Sequence, residues 1–124
     1  MRKRNDKDNL IVILTFDFAI KIIAFSEEIR KNNRFEMASQ IFRRGTSIGA
    51  NIVEAQNAES KPDFIHKFKI AAKEGDELYY WLQLCQKSEF YPNPEQELMN
   101  ELKPINLIIS KIISYSKKPA SSNF

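Results

Sequence analysis

The sequence predicts an all-α fold, an antiparallel four-helix bundle in up-down-up-down order. Three observations predict it. Apolar residues recur at steps of four and three along four long segments, the breaks between segments are only a few residues long, and three glycines in 124 residues leave little material for an all-β chain. A chain of this length holds one core. Residues 1–124 are therefore expected to form a single domain with helices at about 9–31, 34–57, 61–89 and 94–117, and loose ends at 1–7 and 119–124.

Each helix is justified by its own seam. In the first, Ile11, Leu14, Phe18, Ile22, Phe25 and Ile29 line up, and Asn32-Asn33 offer a left-handed exit. The second carries Ile41, Gly45, Ile48, Ile52 and Ala55 behind Asn33 and Glu36, which resemble a capping box. Ser60 and Asp63 repeat that signal, with Pro62 in the first turn, ahead of Phe64, Phe68, Ala71, Gly75, Leu78, Leu82 and Cys85. Asn93 and Gln96 again resemble a capping box, with Pro94 in the first turn, ahead of the fourth seam of Leu98, Leu102, Ile105, Ile109 and Ile112. Pro104 is expected to kink this helix without ending it, because the spacing continues beyond it.

The first helix has more apolar surface than one bundle hides. From Leu10 to Phe25 only Thr15, Asp17 and Lys21 are not apolar, so Ile13, Phe16, Ile20 and Ile23 fall off the core seam. Leu107, Ile108 and Ile113 widen the stripe of the fourth helix in the same way. Leaving such side chains in water forgoes about 1.5–3 kcal/mol each. These seven residues are therefore the expected interface of a homo-oligomer. A basic start, Met1 to Arg4, precedes the apolar run. Asp6, Asp8, Asp17 and Lys21 interrupt the pattern of a signal peptide or membrane span, so a cytoplasmic protein with no membrane association is expected. The lone Cys85 excludes an intramolecular disulfide and fits a reducing compartment.

Beside the core seam of the second helix runs a polar line, Gln40, Arg44, Ser47, Asn51 and Glu54, again at steps of four and three. Across a hairpin turning near residues 57–60, Arg44 faces Glu74 and Glu77 of the third helix. The expected arrangement is a partly buried Arg44–carboxylate pair within a network that sets the register of the two helices.

Signals for catalysis are weak, and no enzymatic activity, cofactor or metal is expected. His66 is the single histidine, which excludes a di-iron centre of the bundle type, since that needs two carboxylate–x–x–histidine units. Gly45 and Gly49 lack the lysine and the preceding strand of a phosphate loop; close helix approach explains them better, with Ala50 alongside and Gly75 opposite Gly45. Basic residues remain. Arg2, Lys3 and Arg4 crowd the N-terminus, Arg30, Lys31 and Arg34 gather at the first turn, Lys117 and Lys118 end the fourth helix, and Arg43 accompanies Arg44. The net charge is only +3, all of it arising within residues 1–62, yet an oligomer multiplies it.

The segment from Gln40 to Ala55 (Gln-Ile-Phe-Arg-Arg-Gly-Thr-Ser-Ile-Gly-Ala-Asn-Ile-Val-Glu-Ala), followed by Asp63 to Ala71 and then Gly75-Asp76-Glu77-Leu78, resembles the "four helix bundle protein" family, also called 23S rRNA-intervening-sequence proteins. The resemblance covers essentially the whole chain and is most specific between residues 40 and 78. This chain has Gly45 where alanine is common, Val53 for alanine, and Ala55 for the usual glycine. The resemblance implies a four-helix bundle assembling as a ring, typically a homopentamer, with no established enzymatic activity. It also brings in relatives that serve as accessory proteins of diversity-generating retroelements, which bind nucleic acid and a reverse transcriptase. The expected function is that of a non-enzymatic oligomer associated with RNA, DNA or a ribonucleoprotein through the basic groups at the N-terminus, the first turn and the end of the fourth helix, together with Arg43. A protein–protein scaffold that binds no nucleic acid is the alternative.

Overall fold

The computed structural model describes residues 6–118, with side chains from Leu10 onward, so the expected loose ends lie outside the described residues apart from Asp6 and Lys7, whose backbone belongs to the first turn of the first helix. Four helices make up the fold: α1 (Asp6–Lys31), α2 (Phe35–Ala55), α3 (Lys61–Lys87) and α4 (Gln96–Ser116). There is no strand among the described residues. The longest helices measure about 40 Å at 1.5 Å per residue. α1 packs on α2 and α4, and α3 packs on α2 and α4, so each helix has two neighbours around one core.

The seams read from spacing are that core. Ile11, Phe18, Ile22 and Ile29 of α1, Ile41, Ile48 and Ile52 of α2, Phe68, Leu78 and Leu82 of α3, and Leu102 and Ile109 of α4 are fully or almost fully buried. Phe64 stacks obliquely on Phe68, with ring centroids 4.7 Å apart. Three polar residues join the interior: Thr15, Ser26 and Gln56. Each donates back to its own helix, Thr15 to the Ile11 carbonyl (2.8 Å), Ser26 to Ile23 (2.8 Å) and Gln56 to Ile52 (3.1 Å), which removes the penalty of burying an unpaired donor.

The helix ends confirm one capping box and replace two. Ser60 is the N-cap of α3 and its hydroxyl accepts from the Asp63 N–H (3.2 Å), with Pro62 in the first turn as expected. Asn33 has φ 62° and closes α1 as its left-handed exit: the Asn33 N–H donates to the Arg30 carbonyl and the Arg34 N–H to that of Ile29. An asparagine in that role cannot also start α2. Arg34 takes the N-cap without a side-chain bond, and the expected Asn33–Glu36 box is absent. Nor does Asn93 cap α4. Pro94 is buried ahead of the helix and Glu95 is the N-cap in extended conformation, so α4 begins two residues later than expected. α4 continues through Pro104 to Ser116.

Close approach is the role of the glycines, although their partners differ from the expected ones. A Cβ on Gly45 would overlap Ile22 Cγ2 and lie 2.9 Å from Ile22 Cβ, whereas one on Gly49 would sit 3.2 Å from Thr15 Oγ1. Both glycines therefore admit α1. Gly75 does not face Gly45: its missing Cβ leaves room for the Asn106 amide of α4, and Ala50 is exposed. Replacing glycine by alanine in a helix gains about 1 kcal/mol of propensity, which overpacking must exceed to destabilise. Gly45→Ala meets a fully buried isoleucine that has nowhere to move, so a net loss of about 1–2 kcal/mol is expected. Gly75→Ala meets the end of a side chain that can rotate away, so little change is expected. Thermal melting followed by circular dichroism distinguishes the two, and equal melting temperatures would refute this account.

Candidate functional site

The polar line of α2 meets α3 where the hairpin register places it. Arg44 Nη1 donates to Glu74 Oε1 (3.1 Å), and Glu77 Oε1 lies at the same distance as an ion-pair partner without a hydrogen bond. Arg44 and Glu74 are largely shielded from solvent, while Glu77 is more open. Two carboxylates face one guanidinium, and Arg44 Nε is buried with no hydrogen-bond partner. One helical turn away, Gln40 Oε1 is also buried and unpaired. Toward the other end of the hairpin, Lys67 Nζ donates to Glu54 Oε1 (2.8 Å), and that bond raises the lysine pKa. Asn51 donates to the Ser47 carbonyl (2.8 Å). The expected network is therefore two cross-helix ionic clusters and a local tether, with numbers rising along α2 meeting numbers falling along α3.

α1 carries the exposed apolar surface. Ile13 is 57% exposed, Phe16 64%, Ile20 54% and Ile23 38%, all on the side away from the core. On α4 the expectation holds for Leu107 alone, which is exposed; Ile108 and Ile113 are half-buried and pack against the core. The reason is geometric. Helical spacing sets Leu107 opposite the buried Ile105–Ile109–Ile112 stripe, but places Ile108 and Ile113 on its two flanks. Lys21 marks the α1–α4 edge of this surface: it hydrogen-bonds Glu101 and lies 3.9 Å from Glu97, and the Glu101 bond raises its pKa.

The basic residues separate by end. Arg2, Lys3 and Arg4 lie outside the described residues. Arg30 pairs with Glu27 (3.4 Å), and Arg34 donates to the Phe90 carbonyl (3.2 Å) while resting over that residue's ring. Lys31 and Arg43 are exposed. At the opposite end Lys117 and Lys118 meet two lysines of α3 that spacing did not single out. Lys61 Nζ donates to the Lys118 carbonyl (3.2 Å), and the like charge of Lys69 beside Lys117 lowers the pKa of Lys117. The register of α3 on α4, with Lys103 over the Tyr79 ring, was the signal that could have brought Lys69 to Lys117.

His66 is exposed, and Cys85 is fully buried with its thiol pushed up to about 11 by desolvation. Among the described residues no three histidine, cysteine or acidic side chains are grouped to hold a metal ion, and no helix is long and apolar enough to cross a membrane.

A family model for 23S rRNA-intervening sequence proteins matches residues 7–111. The chain belongs to this family. The 23S rRNA-intervening sequence protein described here is also similar to a solved structure, that of a protein of unknown function from the S23 ribosomal protein family of Bacteroides thetaiotaomicron VPI-5482. The two are 38% identical over 87% of this chain and 98% of that one, with a TM-score of 0.81. A search of curated proteins finds no match.

Two measurements test the site of this family member. Arg44→Met leaves Glu74 and Glu77 facing each other without a cation, and a loss of about 1–3 kcal/mol is expected, less than for a fully buried pair because solvent reaches Glu77. Adding Glu74→Gln should restore part of the melting temperature; an unchanged melt for Arg44→Met would remove the pair from the stability of the fold. Cys85 should resist a chromogenic thiol reagent in the native state and react only in denaturant. Because its pKa is raised on folding, its contribution is complete below the unfolded value near 9 and is lost as pH rises toward about 11.

Proposed function

We propose that this protein is a non-enzymatic homo-oligomer whose subunits, bundles in up-down-up-down order, join through the outward face of α1 and present a basic end to nucleic acid or a ribonucleoprotein in the cytoplasm. The observation that carries the reading is the exposure of Ile13, Phe16, Ile20 and Ile23 along one side of α1, an apolar strip that a monomer would leave in water. Phe42 and Val53 of α2, also exposed, are further apolar candidates for contact. The resemblance to ring-forming relatives favours a pentamer.

The nucleic-acid part of the reading rests on the lysine-rich end formed by Lys61, Lys69, Lys117 and Lys118. In up-down order this end also receives the start of α1, next to Arg2, Lys3 and Arg4 in the sequence. Two lysines held close enough to lower the pKa of one are relieved by a bound anion, and a ring repeats that cluster in every subunit. The exposed His66 and the buried Cys85 thiol support a role without catalysis.

Light scattering at micromolar concentration should report a multiple of the chain mass. Phe16→Asp with Ile20→Asp should give a folded monomer, and a wild-type monomer would reject the assembly. Filter retention of RNA or DNA is expected at about 50 mM salt, falling steeply by about 200 mM. Lys69→Glu with Lys117→Glu should weaken it. No retention at low salt would reject the nucleic-acid reading. Protein capture that survives nuclease and high salt would favour the scaffold alternative instead.

A further inference from the structure

Above the Arg44 cluster, a notch of about 350 Å³ opens between the start of α2 and the end of α3, lined by Glu36, Met37, Ser39, Gln40, Trp81 and Tyr91. Tyr91 belongs to the α3–α4 connection, which carries one wall of the notch. We infer that this notch binds a guanidinium or primary ammonium group.

Three features of the chemistry converge on a cation that donates hydrogen bonds. Gln40 lines the notch and its Oε1 is a buried acceptor with no partner, a deficit that a donor in the notch relieves once the amide turns toward it. Trp81 and Tyr91 present aromatic side chains, which attract a cation placed over their faces. The one charged side chain in its lining is the carboxylate of Glu36, and below it Glu74 and Glu77 face the one guanidinium of Arg44. No lysine or arginine lines the notch to compete with a cationic guest or to attract an anionic one. A guanidinium suits the site further because it is planar, stacks on aromatic rings, and donates from several nitrogens at once. The group can come from a small free molecule or from an arginine side chain on a protein. The inference is independent of the assembly and of nucleic-acid binding.

Trp81 is the single tryptophan of the chain, so its fluorescence reports the notch directly. Agmatine and a blocked Gly-Arg-Gly peptide serve as probes, with a blocked Gly-citrulline-Gly peptide, which carries neither a guanidinium nor an ammonium, as the neutral analogue. A saturable change in Trp81 emission is expected with at least one cationic probe below about 10 mM, and none with the citrulline peptide. Tighter binding of agmatine assigns the site to a free ligand, and tighter binding of the peptide assigns it to a protein side chain. Glu36→Gln, which neutralises an exposed carboxylate, and Gln40→Met, which removes the buried acceptor, should each weaken binding about tenfold at unchanged helicity. Should Gln40→Met lose helicity, Glu36→Gln carries the test. Absence of a saturable response to both cationic probes, an equal response to the citrulline peptide, or wild-type affinity in Glu36→Gln would overturn the inference.

Discussion

The contact of Ile22 with Gly45 sets how α2 sits on α1, and much of the surface follows from that setting. Because a Cβ at residue 45 would collide with a buried isoleucine, the glycine face of α2 must turn toward α1. Successive helical residues point about 100° apart, so fixing Gly45 on α1 turns Arg44 to the flank where α3 lies. There it meets Glu74 and Glu77. The same rotation carries Gln40, one turn earlier, to the lining of the notch beside Trp81. A packing constraint inside the bundle thus places the charged groups on its outside.

α1 departs from the logic that governs α2. A strongly amphipathic helix such as α2 declares one buried side and one wet side; α1 is apolar nearly all round and only weakly amphipathic. Its inner seam is occupied by Ile11, Phe18, Ile22 and Ile29, while Ile13, Phe16, Ile20 and Ile23 are left exposed by the described residues. Four aliphatic and aromatic side chains in water are a standing driving force of several kcal/mol for whatever removes them from it. A second copy of the chain always arrives with the same unsatisfied strip.

The core was legible in the sequence because alternating steps of four and three leave little freedom: of the positions in the four seams, Leu14 alone falls short of the buried interior. The Arg44 cluster was legible for the related reason that a short turn fixes the hairpin register. The starts of α2 and α4 were not. Asn33 and Asn93 are both good N-caps by type, but the choice between ending one helix and starting the next depends on chain geometry around the turn, and at Asn33 the left-handed exit won. Burial on the flanks of α4 was not legible either, since all three of Leu107, Ile108 and Ile113 lie off the central seam and only the neighbouring helices leave the two isoleucines half-buried and Leu107, on the far side, exposed. Lys69 was hidden for the same reason: its neighbour Lys117 lies almost fifty residues away and on another helix.

The geometry of the apolar strip bears on what kind of assembly it can build. A two-fold dimer needs one self-complementary patch, so the outward side of α1 laid against itself would suffice. A closed ring needs two different patches on each subunit, one to give and one to receive. The described surface holds a second set of exposed apolar residues, Tyr80 (59%) and Leu84 on α3. α3 is the one helix that does not touch α1, so these residues lie across the bundle from the strip. Two apolar regions on opposite sides of a bundle suit head-to-tail contact better than self-pairing. Head-to-tail contact that closes gives a ring, and such a ring would repeat the notch at Trp81 and the lysines at the far end of the bundle once in every subunit.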